Sequence, residues 1–365
     1  MPAQGPSEAT PVSSPAGRRS VRAAKPGAAR LDWVDTGRGI AIALVALFHS
    51  TNWIAGTGLP VAGWSELNTI VSSLRMPMFF VLSGLFAAKW IAGSWRELLK
   101  TKILLFAWVL VLWSCIGMVV QISGRVAAGQ EINYWAAVRN ILLCLVNPPF
   151  ELWFIWALAL FFVLAKVTRR APATLQLVIA GVISTVALTM WLTTPTMMGP
   201  IGSAKYFFFF LVGVFLRRVV VGFAATRMWL KVIVVACWGA VSVGLYMSDL
   251  RGVPGVYFVN CVLGVFAGVA VATWLARVAP LRALGQRTLP VYLAHTPVAI
   301  LVSIVVLLVP GLVAALTPVS WAVPPVVAAI AIGVSLGVYA LSSRSRARYL
   351  YEPPRALVRA ISPRR

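Results

Sequence analysis

An arginine and a histidine eleven residues apart, Arg38 and His49, give the sequence its clearest chemical pairing. A neutral imidazole can take a proton from a hydroxyl or hold an acyl group as a nucleophile, and a guanidinium can clamp two phosphate oxygens with its planar fork. On a helix, eleven residues cover about 16 Å of axis and return to almost the same face. Asp35 and Asn52 fall close to that stripe, and Asp35, one turn before Arg38, is placed to orient it. Ile40 to Phe48 is apolar throughout. With Arg38 at a membrane edge, His49 then lies near the middle of a hydrocarbon layer about 30 Å thick, where an ionisable side chain is costly and is a functional candidate by default.

Three more ionisable residues stand in or beside apolar runs. Arg75 precedes Met76-Pro77-Met78-Phe79-Phe80 and falls in the outer part of its run, where it either meets a substrate or snorkels to the headgroups. Glu151 opens Glu151-Leu152-Trp153-Phe154, where it either caps a helix N-terminus on the outer side or takes part in chemistry. His295 closes Val291-Tyr292-Leu293-Ala294-His295, as a second reactive group or as a core histidine bonded to nearby backbone.

The elements that must position these groups are membrane helices. The chain is 60% hydrophobic and 11% charged, with mean hydropathy +0.88, which excludes a soluble domain of 365 residues. Apolar runs long enough to cross a bilayer fall at 40–58, 69–92, 103–122, 150–168, 174–193, 205–221, 230–248, 255–275, 289–309 and 321–342. The expected fold is therefore an all-α integral membrane bundle of about ten transmembrane helices. A net charge of +23 might suggest nucleic acid, but 27 of the 32 Lys and Arg collect at alternate ends of these runs. That asymmetry predicts both termini in the cytoplasm and leaves Arg75, Arg125, Arg139, Lys205 and Arg251 on the outer side. Residues 1–30, rich in Ala, Pro, Ser, Gly and Arg, read as a disordered basic cytoplasmic tail, 31–345 as the membrane domain and 346–365 as a second basic tail. Arg18-Arg19 is followed by more charge before any apolar run, which argues against a cleaved export signal. Cys115, Cys144, Cys237 and Cys261 show no metal-ligand spacing and are expected in packing, so no metal is predicted.

Four stretches together resemble the acyltransferase 3 family of integral-membrane O-acyltransferases, including its fucose O-acetylase-like branch. Asp35-Thr36-Gly37-Arg38 through His49 matches that family's Arg-x10-His motif. Met76 to Leu85 is similar to its Pro-x-Phe-Phe-x-x-Ser-Gly-Phe motif, with Leu85 where Phe is usual. Glu151-Leu152-Trp153-Phe154 and Val291 to His295 resemble two further segments, and the likeness runs in order over about 35–300. The resemblance implies acyl-coenzyme A, most simply acetyl-CoA, as donor, and a hydroxyl on a cell-envelope glycan or glycolipid as acceptor. Some members carry an extracytoplasmic hydrolase-like domain that completes transfer; none is expected here, leaving the membrane domain to finish the reaction alone or with a protein partner.

On this basis His49 and Glu151 are expected to be catalytic, and Arg38 with Asp35 to bind the donor. Arg75, Asn52, Trp153, Tyr292 and His295 are expected to line the substrate path. The expected location is the cell (plasma) membrane. A transporter or flippase of a lipid-linked sugar, using His49, Arg75 and Glu151 for protons and substrate, is the alternative from a different class.

Overall fold

The computed structural model describes Met1 and residues 31–61, 63–190 and 198–360. Apart from Met1, the expected N-terminal tail with its Arg18-Arg19 pair lies outside the described residues, as do 191–197 and the last five residues. The chain divides into Met1–Leu31 and Asp32–Arg365, and everything below concerns the second unit.

The fold is all-α. Its long helices are α1 (Asp32–Ala55), α2 (Ser72–Gly84), α3 (Trp95–Ala127), α4 (Phe150–Val167), α5 (Ala173–Met190), α6 (Met198–Phe215), α7 (Met228–Tyr246), α8 (Val256–Trp274), α9 (Thr288–Leu308) and α10 (Leu312–Ser342). Each of the ten predicted runs overlaps one of these helices, but 69–92 is divided between two. Seven of these (α3, α4 and α6 to α10) are long and apolar enough to cross a membrane. Helix α1 keeps Asp32 and Asp35 in its first turn, where carboxylates favour the positive helix end. Helix α2 has only 13 residues, and a turn at Leu85–Ala87 separates it from a short helix, Ala88–Ala92.

Helix α3 begins eight residues before the predicted start. Ser94-Trp95-Arg96-Glu97 is the reason: the Ser94 hydroxyl accepts from the Glu97 N–H at 3.1 Å and starts a helix that passes through a π turn at Leu99–Ile103. The Lys166 ammonium near the end of α4 donates to the carbonyls of Trp90, Ile91 and Gly93 at 3.2, 3.1 and 2.6 Å. The short helix Ala88–Ala92 with Lys89, the basic start of α3 and the Lys166 end of α4 therefore gather in one place. Residues 346–351 pack on the bundle: Trp108 and Trp113 of α3 donate to the carbonyls of Tyr349 and Leu350, and the Tyr351 ring is buried against Trp113 and Tyr339.

Helix α1 runs through the middle of the bundle, touching α2, α8, α9, α10 and the short helix Ala279–Gln286. Two glycines set that last contact. A Cβ on Gly39 would collide with the Leu281 carbonyl, and one on Gly285 with the Asp35 carbonyl, so the backbones meet directly. On the other side, Asn260 of α8 and Ser242 of α7 exchange hydrogen bonds, and Trp238 donates to Ser73 of α2 at 3.0 Å. These bonds tie α7 and α8 to α2.

Candidate active site

The centre of the site is the imidazole of His49. Its Nδ1 lies 3.1 Å from Oε1 of Glu151, and both side chains are largely withdrawn from solvent. With Nδ1 donating to a carboxylate, Nε2 carries the ring's lone pair, the tautomer a proton acceptor needs. Glu151 reaches this position because α4 opens with a 3-10 turn, Phe150–Leu152, tucked into the bundle. Phe150 adopts φ +55°, a left-handed conformation unusual for a bulky residue, with its ring against Gly117 of α3. Glu151 is thus held beside His49 at the start of α4.

Helix α9 supplies the second wall. Tyr292 donates its hydroxyl to the Glu151 carbonyl. His295 is buried, its Nδ1 lies 2.8 Å from the Tyr292 carbonyl and 3.1 Å from that of Val291, and its ring centre is 5.3 Å from that of His49. Both carbonyls are acceptors, so Nδ1 bears the proton and Nε2 accepts from the Thr296 hydroxyl at 3.2 Å. His295 thus combines both sequence expectations: bonded to its own backbone, yet at the centre of the site.

Two cavities flank this group. One, of about 260 Å³, is lined by Arg38, Phe86, Trp90, Lys102 and Thr288 towards the gathered basic helix ends. The other, of about 180 Å³, is lined by Phe48, His49, Arg75, Glu151, Trp153 and Tyr206. Phe79, Phe154 and Tyr292 line both and form the partition between them. Their rings pack at centroid distances of 4.7 Å for Phe79 with Phe154 and 5.4 Å for Phe154 with Tyr292. His49 faces the second cavity and Arg38 the first, an axial separation that the eleven-residue spacing imposes.

Of the residues singled out in the sequence, His49, Glu151, Arg75, Trp153, Tyr292 and His295 converge around the second cavity, and Arg38 marks the first. Arg38 donates to the Leu82 carbonyl at 3.2 Å and lies over the Phe86 ring. Asp35 accepts from Gln286 at 3.2 Å, tying α1 to the short helix beside it. Asn52 stands apart: it is exposed and lines neither cavity. Its neighbour Thr51 is the buried one, accepting from Asn68, whose Oδ1 in turn accepts from Arg75. A stripe drawn on one helix cannot tell which of two adjacent residues meets a neighbour. Lys102, Trp90, Phe79, Phe154, Tyr206 and Thr296 also line the site or contact it, and the sequence marked none of them as functional. Lys102 was visible in the charged start of α3 and Thr296 directly follows His295; the aromatic residues carry no signal that separates them from packing.

The profile of the acyltransferase-domain family matches residues 31–342, most of the chain and every residue of the two cavities. The chain belongs to the acyltransferase 3 family. Comparison with curated proteins and with solved structures finds no match.

Proposed function

We infer that the protein is a membrane O-acyltransferase that moves an acyl group, most simply acetyl, from acyl-coenzyme A in the cytoplasm to a hydroxyl of a cell-envelope glycan or glycolipid, as in the fucose O-acetylase-like branch. The observation that carries this is the His49–Glu151 pair at 3.1 Å, facing one cavity while a basic cavity approaches from the other side. Arg38 and Lys102 suit the phosphates of the donor, and Trp90 and Phe86 offer flat apolar faces beside them. The slender thioester arm reaches the partition of Phe79, Phe154 and Tyr292, and the acceptor enters by the cavity of Arg75 and Trp153.

The step is a direct transfer. His49 Nε2 takes the proton of the acceptor hydroxyl as its oxygen attacks the thioester carbonyl. The C–S bond breaks, an ester forms, and the thiolate leaves and is protonated to free coenzyme A. Glu151 holds the imidazole in its tautomer and balances the imidazolium that forms. Because His49 borders the acceptor cavity alone, base catalysis with both substrates bound fits better than an acyl-histidine stage. Initial rates measured over both substrate concentrations should give intersecting reciprocal plots; parallel plots would indicate an acyl-enzyme. Thiol release from acetyl-CoA by purified protein given its acceptor tests the reading as a whole, and its absence would favour transport.

The donor side has its own test. Arg38→Ala should raise the KM for acyl-CoA about tenfold or more, the loss of one bidentate phosphate contact, while Arg75→Ala leaves it near normal. Equal loss in both variants would merge the two cavities into one site. The location implied is the cell membrane, with ten crossings and both termini in the cytoplasm. A cytoplasm-active reporter should work both after Arg365 and beside Arg170, and failure at either site would overturn that topology.

A further inference from the structure

Arg75 is 6% exposed in a cavity whose other walls are mostly apolar and aromatic. Its Nη1 makes one long hydrogen bond, 3.4 Å to Asn68, and its Cζ lies 4.2 Å above the Phe48 ring. A guanidinium has five N–H donors, so most of them meet no described partner. Glu151, the carboxylate that lines the same cavity, is held by His49 rather than by Arg75. A second guanidinium contacts the same helix. Arg251 donates at 3.0 Å to Ser72, three residues before Arg75 on α2, lies over the Tyr257 ring, and keeps a buried Nε without a partner.

A guanidinium withdrawn from water with one long hydrogen bond, as Arg75 is, is unfavourable in the unliganded protein. Packing alone does not require it, since a neutral side chain of similar length fills the same space without the desolvation cost. A planar guanidinium facing a cavity is suited to a ligand oxyanion, which restores the missing charge with paired hydrogen bonds. Trp153 and Tyr206 stack at 25° with centroids 6.0 Å apart on the same cavity, giving flat faces for the uncharged part of the ligand.

We propose that the acceptor is anionic: it carries a phosphate or carboxylate beside the hydroxyl to be acylated, and Arg75 binds that group, with Arg251 adding to the positive field. This rests on the second cavity being the acceptor side, and it restricts the acceptor to acidic glycans or phosphate-bearing glycolipids. It also gives Arg75 a positioning role, since an anion anchored there fixes which hydroxyl reaches His49.

The test measures binding without donor, to purified full-length protein in a neutral detergent, of three matched probes: glucose, glucuronate and glucose 1-phosphate. Wild type should bind at least one of the anions about tenfold tighter than glucose, with the preference weakening as salt is added. Arg75→Gln should bind all three alike, and Arg75→Lys should keep part of the preference. The tighter of the two anions identifies the group. Equal binding of all three by wild type, or an undiminished preference in Arg75→Gln, overturns the proposal. Should Arg75→Gln fail to fold, the comparison of probes on wild type and Arg75→Lys decides in the same way. Because no acyl donor is present, an anion preference without acyl transfer keeps this site and discards the transfer reaction, and transfer to a neutral acceptor does the reverse.

Discussion

Glu151→Gln should lower acyl transfer by about ten-thousandfold, the scale seen when the carboxylate behind a catalytic histidine is replaced by an amide. The carboxylate accepts from His49 Nδ1 across 3.1 Å. An amide can present its NH2 there instead, which moves the ring proton to Nε2 and removes the lone pair from the reacting side. The substitution is nearly isosteric, so the packing of the Phe150–Leu152 turn and the bond from Tyr292 to the Glu151 backbone carbonyl should persist. Folded yield and thermal midpoint are expected to match wild type, with the loss confined to kcat. A variant that keeps its rate would make Glu151 a structural residue and leave His49 without a tautomer-setting partner.

The second large effect concerns folding. Gly285→Val places two methyl groups where the Cβ alone already collides with the Asp35 carbonyl, on backbone that cannot step aside without separating α1 from Ala279–Gln286. Overpacking of this kind costs about 3 kcal/mol or more when backbone must shift, so the folded yield should fall several-fold. Arg38 lies three residues beyond Asp35 on the same helix, so whatever protein folds should also bind acyl-CoA poorly. Gly244→Ala is the control: that glycine has open space around it on α7 and should be neutral or slightly stabilising. Similar yields for the two variants would remove the close helix contact from the account.

The helices were legible because long apolar runs in a charge-poor chain leave few alternatives, although run 69–92 is broken by the turn at Leu85–Ala87 and run 205–221 at Leu216. The ends were less so. Ser94-Trp95-Arg96-Glu97 announces a helix start in plain sequence, but hydropathy ignores capping residues and so misses it. The site was half visible. Arg38 and His49 share one helix, and their separation follows from helix geometry alone. Glu151 and His295 were candidates by type, but their meeting with His49 depends on how α4 and α9 pack beside α1, and no local pattern encodes that. Asn52 and Thr51 show the same limit at single-residue scale, since the helix phase admits both and only the neighbouring Asn68 selects Thr51. The partition of Phe79, Phe154 and Tyr292 was invisible because aromatic residues of a membrane bundle look alike until cavities are drawn around them.

The most direct measurement is the rate of acyl transfer by purified His49→Ala in the presence of acyl-CoA and acceptor, alongside its thermal unfolding midpoint. His49 contributes one hydrogen bond to Glu151 and modest packing, so the variant should fold with a midpoint near that of wild type. It should form no ester above the uncatalysed background, because no other group borders both Glu151 and the acceptor cavity with a free proton-accepting nitrogen. His295→Ala, which removes a ring bonded to the backbone of its own helix, should lower both stability and rate. A folded His49→Ala protein that still moves acyl groups from coenzyme A to the acceptor at the wild-type rate would contradict the account.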